Sequence, residues 1–154
     1  IITFEDIYSR FSFAWSTTSH ASLAAKEFFE YCRTVFPHPF VYVLTDNGSE
    51  FMKHFSRNLN ELHLTHYHTY PKTPKMNAHC ERFNRTIQEE FVDYHTGLLL
   101  NPSLFNQKLI PWLIWYNTER PHWGLNLQSP MQFMLTHSSA HPEKSNVGWT
   151  DTAS

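Results

Sequence analysis

One uninterrupted apolar run, residues 40–44, most limits what this chain of 154 residues can fold into. Its β-branched and aromatic side chains, with no polar alternation, are typical of a strand buried on both faces of a sheet. The run ends in the polar turn Thr45-Asp46-Asn47-Gly48. Asp46 is therefore predicted at the carboxyl end of a buried strand, where an α/β sheet presents polar side chains to a crevice. The alternative from this tetrapeptide alone is a turn aspartate bonded to its own backbone.

The rest of the chain predicts further strands and helices around that strand. A hairpin is expected over residues 1–17, because Phe11, Phe13 and Trp15 alternate with small residues after a turn at 8–10. Strands early and strand-helix alternation later predict an α/β or mixed α+β sheet with helices packed on it. The other predicted elements are helices over about 18–35, 50–61, 77–97 and 103–116, a strand over 64–69 and a loop over 70–79.

Composition excludes several classes of protein. The net charge of -2 is not that of a strongly basic nucleic-acid binder, so any such argument depends on local charge. Nothing approaches 18 consecutive apolar residues, which predicts no membrane span. Cys32 and Cys80 are too far apart for a C-x-x-C pattern, which argues against a disulfide framework or structural zinc site. A cytoplasmic location is therefore expected.

Glu81 lies on the third predicted helix, for which Asn77 is the expected N-cap. At 100° per residue, Glu81 and Arg85 share a face that differs from the apolar stripe of that helix. The apolar residues of the stripe are Cys80, Phe83, Ile87, Phe91 and Tyr94. Alone, Glu81 is best interpreted as a solvated residue whose i,i+4 pair with Arg85 contributes only about 0.2–0.5 kcal/mol.

A local excess of positive charge surrounds Glu81. Residues 71–85 contain four basic side chains and one acidic one, and phosphate neutralisation needs such a cluster. The basic residues are Lys72, Lys75, Arg82 and Arg85. Without further information a solvated face is the more common explanation of such a run.

Taken together, the motifs resemble the catalytic core of the DDE transposase and retroviral-type integrase superfamily, most of all bacterial insertion-sequence transposases with an integrase core. The resemblance covers about residues 1–135. The motifs that carry it are Thr45-Asp46-Asn47-Gly48-Ser49-Glu50-Phe51, Tyr70-Pro71-Lys72-Thr73-Pro74, Asn77-Ala78-His79-Cys80-Glu81-Arg82-Phe83-Asn84-Arg85-Thr86, Trp115-Tyr116-Asn117-Thr118-Glu119-Arg120-Pro121-His122 and Ser129-Pro130.

The resemblance implies an RNase H-like fold and metal-dependent DNA cleavage and strand transfer, hence DNA integration or transposition. In that family three acidic residues hold two Mg²⁺ or Mn²⁺ ions. Asp46 matches the second acidic residue and Glu81 the third, with 34 residues between them. The resemblance also implies DNA as the partner, including mobile-element ends and target DNA, a homo-oligomer in the intact family, and a bacterial cytoplasm near the nucleoid. The residues expected to contact DNA are Lys72, Lys75, Asn77, Arg82 and Arg85.

One departure from the family pattern concerns the first acidic residue. It lies on the first, central strand of the family's sheet, upstream of the hairpin that matches residues 1–17, so we expect that strand to be missing from this chain. Asp6 matches a structural residue at the end of the hairpin's first strand. We therefore expect an N-terminally truncated core over 1–135 that is inactive as it stands, followed by a polar, disordered tail over 136–154.

Two other classes of function remain open from the sequence. The first is a non-catalytic remnant that still binds DNA. The second is a structural or protein-interaction domain that uses aromatic surfaces, which predicts no salt-dependent DNA affinity.

Overall fold

The computed structural model describes residues 1–19, 22–46, 48–68, 74–137 and 146–151. The described strands are β1 (Ile2–Asp6), β2 (Ser12–Trp15), β3 (Tyr42–Thr45), β4 (Thr65–His68) and β5 (Asn146–Asp151). The described α-helices are α1 (Ser22–Val35), α2 (His54–Glu61), α3 (Pro74–Glu90), α4 (Pro102–Thr118) and α5 (Pro130–His137). Short 3₁₀ turns lie at Ser49–Phe51, Val92–Tyr94, Thr96–Leu98 and Trp123–Leu125.

The five strands form one mixed sheet in the order β2-β1-β5-β3-β4. The β1 and β2 strands are the predicted hairpin, with Phe4 opposite Phe13. The β5 strand runs antiparallel to β1 and parallel to β3, and β3 runs parallel to β4. The centre of the sheet is thus filled by a strand from the carboxyl-terminal part of the chain.

This central strand differs from two expectations. The tail is not disordered at residues 146–151, and the sheet position expected to lack its strand is occupied by β5. Val147, Trp149 and Thr150 are β-forming residues inside a polar segment, and β1 and β3 each offer this segment an edge to pair with. The division of the chain near residue 135 stays a prediction.

Helices cover both faces of the sheet because neighbouring side chains of a strand point to opposite faces. Phe4 is fully buried in a core cluster that includes Phe29 of α1 and Phe55 of α2. The hydroxyl of the preceding residue, Thr3, donates to Asn84 Oδ1 of α3 at 2.8 Å. A second core cluster therefore lies on the other face, where Phe83, Ile87, Phe105 and Leu109 join α3 to α4.

The start and end of α3 differ from the prediction. The helix begins at Pro74, so Asn77 lies within it and is not its N-cap. Proline suits the first helical position because it has no N–H that needs a partner there. The helix ends at Glu90, and 3₁₀ turns replace the expected continuation to Gly97. The next predicted helix is confirmed as α4, which Asn101 caps by accepting from Leu104 N–H at 3.2 Å.

The hairpin turn is held by Asp6, as the sequence predicts for a structural residue. Its Oδ2 accepts from the Ser9 backbone N–H at 2.9 Å and from the Ser9 hydroxyl at 2.5 Å. Arg10 completes the turn in the left-handed region, with φ 62°. In the described part of the chain, every helix is too short or too polar to cross a membrane.

Candidate functional site

Asp46 directly follows β3, as predicted, and is half-buried. Its Oδ1 accepts from the Gly48 backbone N–H at 2.9 Å. This is the turn bond that the local tetrapeptide alone predicts. The bond uses one of about four lone-pair sites on a carboxylate, so the side chain keeps the capacity to bind a further ligand.

Two histidines whose rings are in contact at a tilted angle lie beside the end of β3. The ring of His66 contacts the Thr45 hydroxyl through Nε2 at 2.8 Å, and its centroid is 4.1 Å from that of His68. Burial, assisted by His68, lowers the pKa of His66 to about 4. His66 is therefore uncharged at neutral pH and adds no positive charge next to Asp46.

Glu81 is exposed on α3, off the buried stripe that Cys80, Phe83 and Ile87 form. The prediction that its face differs from the apolar face is confirmed. Arg82 and Arg85 are exposed on the same helix.

The central strand links the elements that carry the two acidic residues. The β5 strand pairs with β3, which leads into Asp46, and it also packs against α3, which carries Glu81. By register, Asp151 of β5 lies opposite Ile2 of β1. Three acidic residues are thus carried by neighbouring elements: the end of β3, the end of β5 and α3.

The donor chemistry of Asp46 and Glu81 fits a hard divalent cation. Mg²⁺ prefers carboxylate oxygens and keeps several waters, so it needs few protein ligands. Within the described ranges, no group of three or more His, Cys, Asp or Glu side chains is arranged to hold a metal ion.

The structure describes all but one of the residues predicted to contact DNA. Lys72 lies outside the described residues. Lys75 and Asn77 lie in the first turns of α3. Arg82 and Arg85 are accessible to a ligand on the exposed side of that helix.

Sequence patterns did not reveal a polar cavity of about 240 Å³ beside α3. Its lining includes Glu5 of β1, Arg10 of the hairpin turn and Arg82 of α3. It also includes Tyr116, Arg120 and His122, at and after the end of α4. These residues come from three segments, the first and last of which are more than 100 positions apart, so only the Arg120-Pro121-His122 motif could have drawn attention to the site.

Glu5 has the most perturbed carboxyl group of this cavity. Burial raises its pKa to about 8, and the Arg10 guanidinium opposes that rise only in part. Its Oε1 lies 4.0 Å from Arg10 Nη1, which is an ion-pair distance and too long for a hydrogen bond. Glu5 is therefore largely protonated at neutral pH.

The sheet order and the helices on both faces define an RNase H-like fold of the integrase catalytic core type. The catalytic core of HTLV-2 integrase, solved with magnesium in a trimeric form, superposes with a TM-score of 0.67 at 19% identity. That match covers 85% of this chain and 81% of the other. The BIV integrase catalytic core gives 0.63 at 18% identity and covers 86% and 82%. The predicted fold class is confirmed.

The sequence comparisons agree with the fold. Residues 62–130 match the family described as integrase core domain, which confirms the resemblance found from the motifs. A putative integrase of Spiroplasma virus SpV1-C74 is 28% identical over 77% of this chain and 36% of its own length. The transposase for insertion sequence element IS904 of Lactococcus lactis is 28% identical over 83% of this chain and 51% of its own length. The chain thus spans about a third to a half of these relatives.

Proposed function

We propose that this chain is the core of a DNA transposase or integrase, which cuts DNA strands and joins them during integration or transposition. The observation that carries the proposal is the common contact of two elements with β5: the strand that leads into Asp46 pairs with it, and the helix that bears Glu81 packs on it. The integrase-core fold and the match over residues 62–130 support the same function.

Asp46 and Glu81 are the residues that we propose to hold Mg²⁺ or Mn²⁺. Two such ions, held by these carboxylates, would supply Lewis-acid stabilisation of the charge that develops on a phosphodiester during cleavage. The chain's own part is to fix the carboxylates: β3 and the Gly48 bond orient Asp46, and the buried stripe of α3 leaves Glu81 facing outward.

The first acidic position, which the sequence was expected to lack, has a candidate in Asp151. We propose it because β5 occupies the central place in the sheet, next to both β1 and β3. A complete site would then contain Asp46, Glu81 and Asp151, and the chain would not be inactive.

DNA is the proposed partner, contacted by Lys72, Lys75, Asn77, Arg82 and Arg85. The exposure of Arg82 and Arg85 supports this, since phosphate contacts require accessible cations. Homo-oligomerisation and a place in the bacterial cytoplasm near the nucleoid belong to the same proposal.

The test is cleavage and strand transfer on labelled oligonucleotides by the whole chain with Mg²⁺ or Mn²⁺. We expect activity that is abolished in Asp46→Asn, Glu81→Gln and Asp151→Asn, and unchanged in the control Glu27→Gln, which alters an exposed residue of α1. Activity that survives Asp46→Asn contradicts the proposed site. Loss of activity in Asp46→Asn and Glu81→Gln, but not in Asp151→Asn, would exclude only Asp151 from the proposed site.

A non-catalytic DNA-binding remnant is the second candidate function. It is favoured by the lack of a three-residue metal group in the described part of the chain. It predicts salt-dependent DNA affinity without cleavage under any metal condition. An interaction domain without DNA affinity, the third possibility from the sequence, predicts neither.

A further inference from the structure

The polar cavity beside α3, here called the Glu5 cavity, lies between the hairpin turn, the middle of α3 and the end of α4. Within the described part of the chain, three buried polar atoms at this cavity have no hydrogen-bond partner: Glu5 Oε2, Arg10 Nη1 and His122 Nε2. The Glu5 side chain is only 5% exposed. Buried polar groups are nearly always hydrogen-bonded, so unpartnered atoms from three segments around one cavity indicate that a polar ligand is missing.

The charges around the cavity favour an anion. Arg120 is already neutralised, because its Nε and Nη2 donate to the Glu90 carboxylate at 2.9 and 2.5 Å. Arg10 and Arg82 retain their positive charge, and the raised pKa of Glu5 leaves that carboxyl protonated and able to donate a hydrogen bond. A cation would meet two guanidinium groups here, whereas an oxyanion would find donors on several sides.

The size of the cavity and its rim narrow the choice of anion. Its volume of about 240 Å³ is below the roughly 300–1,000 Å³ of pockets that enclose drug-sized ligands. It therefore suits one small group and leaves the rest of the ligand outside. Trp123 lines the cavity and is 89% exposed, which places a free aromatic ring where that remainder would lie. Nucleobases stack on such rings regardless of sequence.

We propose that the Glu5 cavity binds one phosphate group of a single-stranded DNA segment, with the neighbouring base stacked on Trp123. This rests on the proposed function and extends it to an unpaired strand held beside α3. Arg10 and Arg82 neutralise the phosphate, His122 Nε2 and protonated Glu5 complete its hydrogen bonds, and Trp123 selects a phosphate that carries a base.

The experiment measures binding without any metal, so it does not depend on catalysis. Inorganic phosphate is followed by ³¹P line broadening, and a short single-stranded oligonucleotide by quenching of tryptophan fluorescence and by anisotropy of its own label. We expect both to bind the whole chain and phosphate to compete with the oligonucleotide. Trp123→Ala is expected to weaken oligonucleotide binding about 5- to 140-fold while leaving phosphate binding unchanged.

The cavity arginines are tested with a matched surface control. We expect Arg82→Gln and Arg10→Gln to weaken both phosphate and oligonucleotide, and Arg33→Gln, an exposed arginine of α1 paired with Glu30, to weaken neither. Since Arg10 also belongs to the hairpin turn, Arg82→Gln keeps the test decisive if Arg10→Gln does not fold. Absence of phosphate binding, or equal losses in Arg33→Gln and Arg82→Gln, overturns the proposal. So does a Trp123→Ala variant that binds the oligonucleotide normally.

Failure of this proposal is distinguishable from failure of the proposed function. Asp46→Asn is expected to bind phosphate and oligonucleotide like the unaltered chain even when cleavage is abolished. A chain that never cleaves DNA but shows the Trp123 and Arg82 effects supports the cavity and rejects only catalysis. A chain that cleaves DNA but does not bind phosphate in the cavity supports the proposed function and rejects only the cavity proposal.

Discussion

At the scale of single residues, Glu5 shows how burial in the fold changes the protonation state of a side chain that is ordinary in the sequence. A glutamate in a strand next to an aspartate gives no hint of its protonation state. The fold buries Glu5 where β1 packs against α3. Desolvation then raises its pKa by more than the attraction of Arg10 and Arg82 lowers it. The folded state therefore favours the protonated form of this carboxyl group.

The sign of the pH dependence follows from that shift. In the unfolded chain Glu5 ionises near 4.5, and in the folded chain near 8, so between these values only the folded state holds the proton. Stability is therefore lost as pH rises, by about 1.4 kcal/mol per pH unit for this one group. We expect Glu5→Gln to be more stable than the unaltered chain at pH 7.5 and equal to it at pH 4 in denaturant unfolding.

The control for this comparison is Glu27→Gln, because Glu27 is exposed on α1. Its difference from the unaltered chain is expected to be small and the same at both pH values. His66 and His122, whose pKa values are also shifted, are common to all three proteins and cancel in the differences. A constant gap between Glu5→Gln and the unaltered chain contradicts a protonated Glu5.

At the scale of elements, two asparagines of α4 attach this helix to the edge strand β2. Asn117 Oδ1 accepts from Ser12 N–H at 2.9 Å, and its Nδ2 donates to the Ser12 carbonyl at 2.8 Å. Asn106, three turns earlier, makes the same two bonds to the backbone of Ser16 at 2.8 and 2.9 Å. Both side chains thus satisfy backbone groups that an edge strand leaves unpaired.

Replacing Asn117 by leucine removes both bonds and leaves the Ser12 N–H and carbonyl buried without partners. We expect Asn117→Leu to lower the free energy of unfolding by roughly 2–6 kcal/mol, since each of the two unsatisfied buried groups costs about 1–3 kcal/mol. The matched control is Gln107→Leu, an exposed amide on the same helix, which we expect to change stability by less than about 0.5 kcal/mol. Equal effects in chemical denaturation of the two variants would mean that the asparagine bonds do not hold α4 to β2.

At the scale of the whole molecule, the sequence predicted the structural features that depend on residues close together in the chain. Alternation gave the hairpin, the apolar run gave β3 and the position of Asp46, and helical spacing gave the outward face of Glu81. It did not predict β5, because three β-forming residues in a polar tail signal a strand only when two distant strand edges are free to pair with them. The Glu5 cavity was missed for the same reason: its walls come from the hairpin, α3 and the segment after α4, which only the fold brings together.

The central position of β5 makes a prediction about the molecule as one unit. The strand pairs on both sides, so a proline in it removes a ladder hydrogen bond and places a ring against a neighbouring strand. We expect Val147→Pro to lower the free energy of unfolding by at least about 1–3 kcal/mol, the cost of an unsatisfied buried carbonyl. Because β1 and β3 meet only through β5, amide hydrogen exchange is expected to accelerate in both strands. Glu27→Gln, which alters an exposed residue of α1, is again the control and is expected to change neither measurement. Unchanged exchange in β1 and β3 of Val147→Pro would show that the two halves of the sheet do not depend on this strand, and the proposed role of Asp151 would then lose its support.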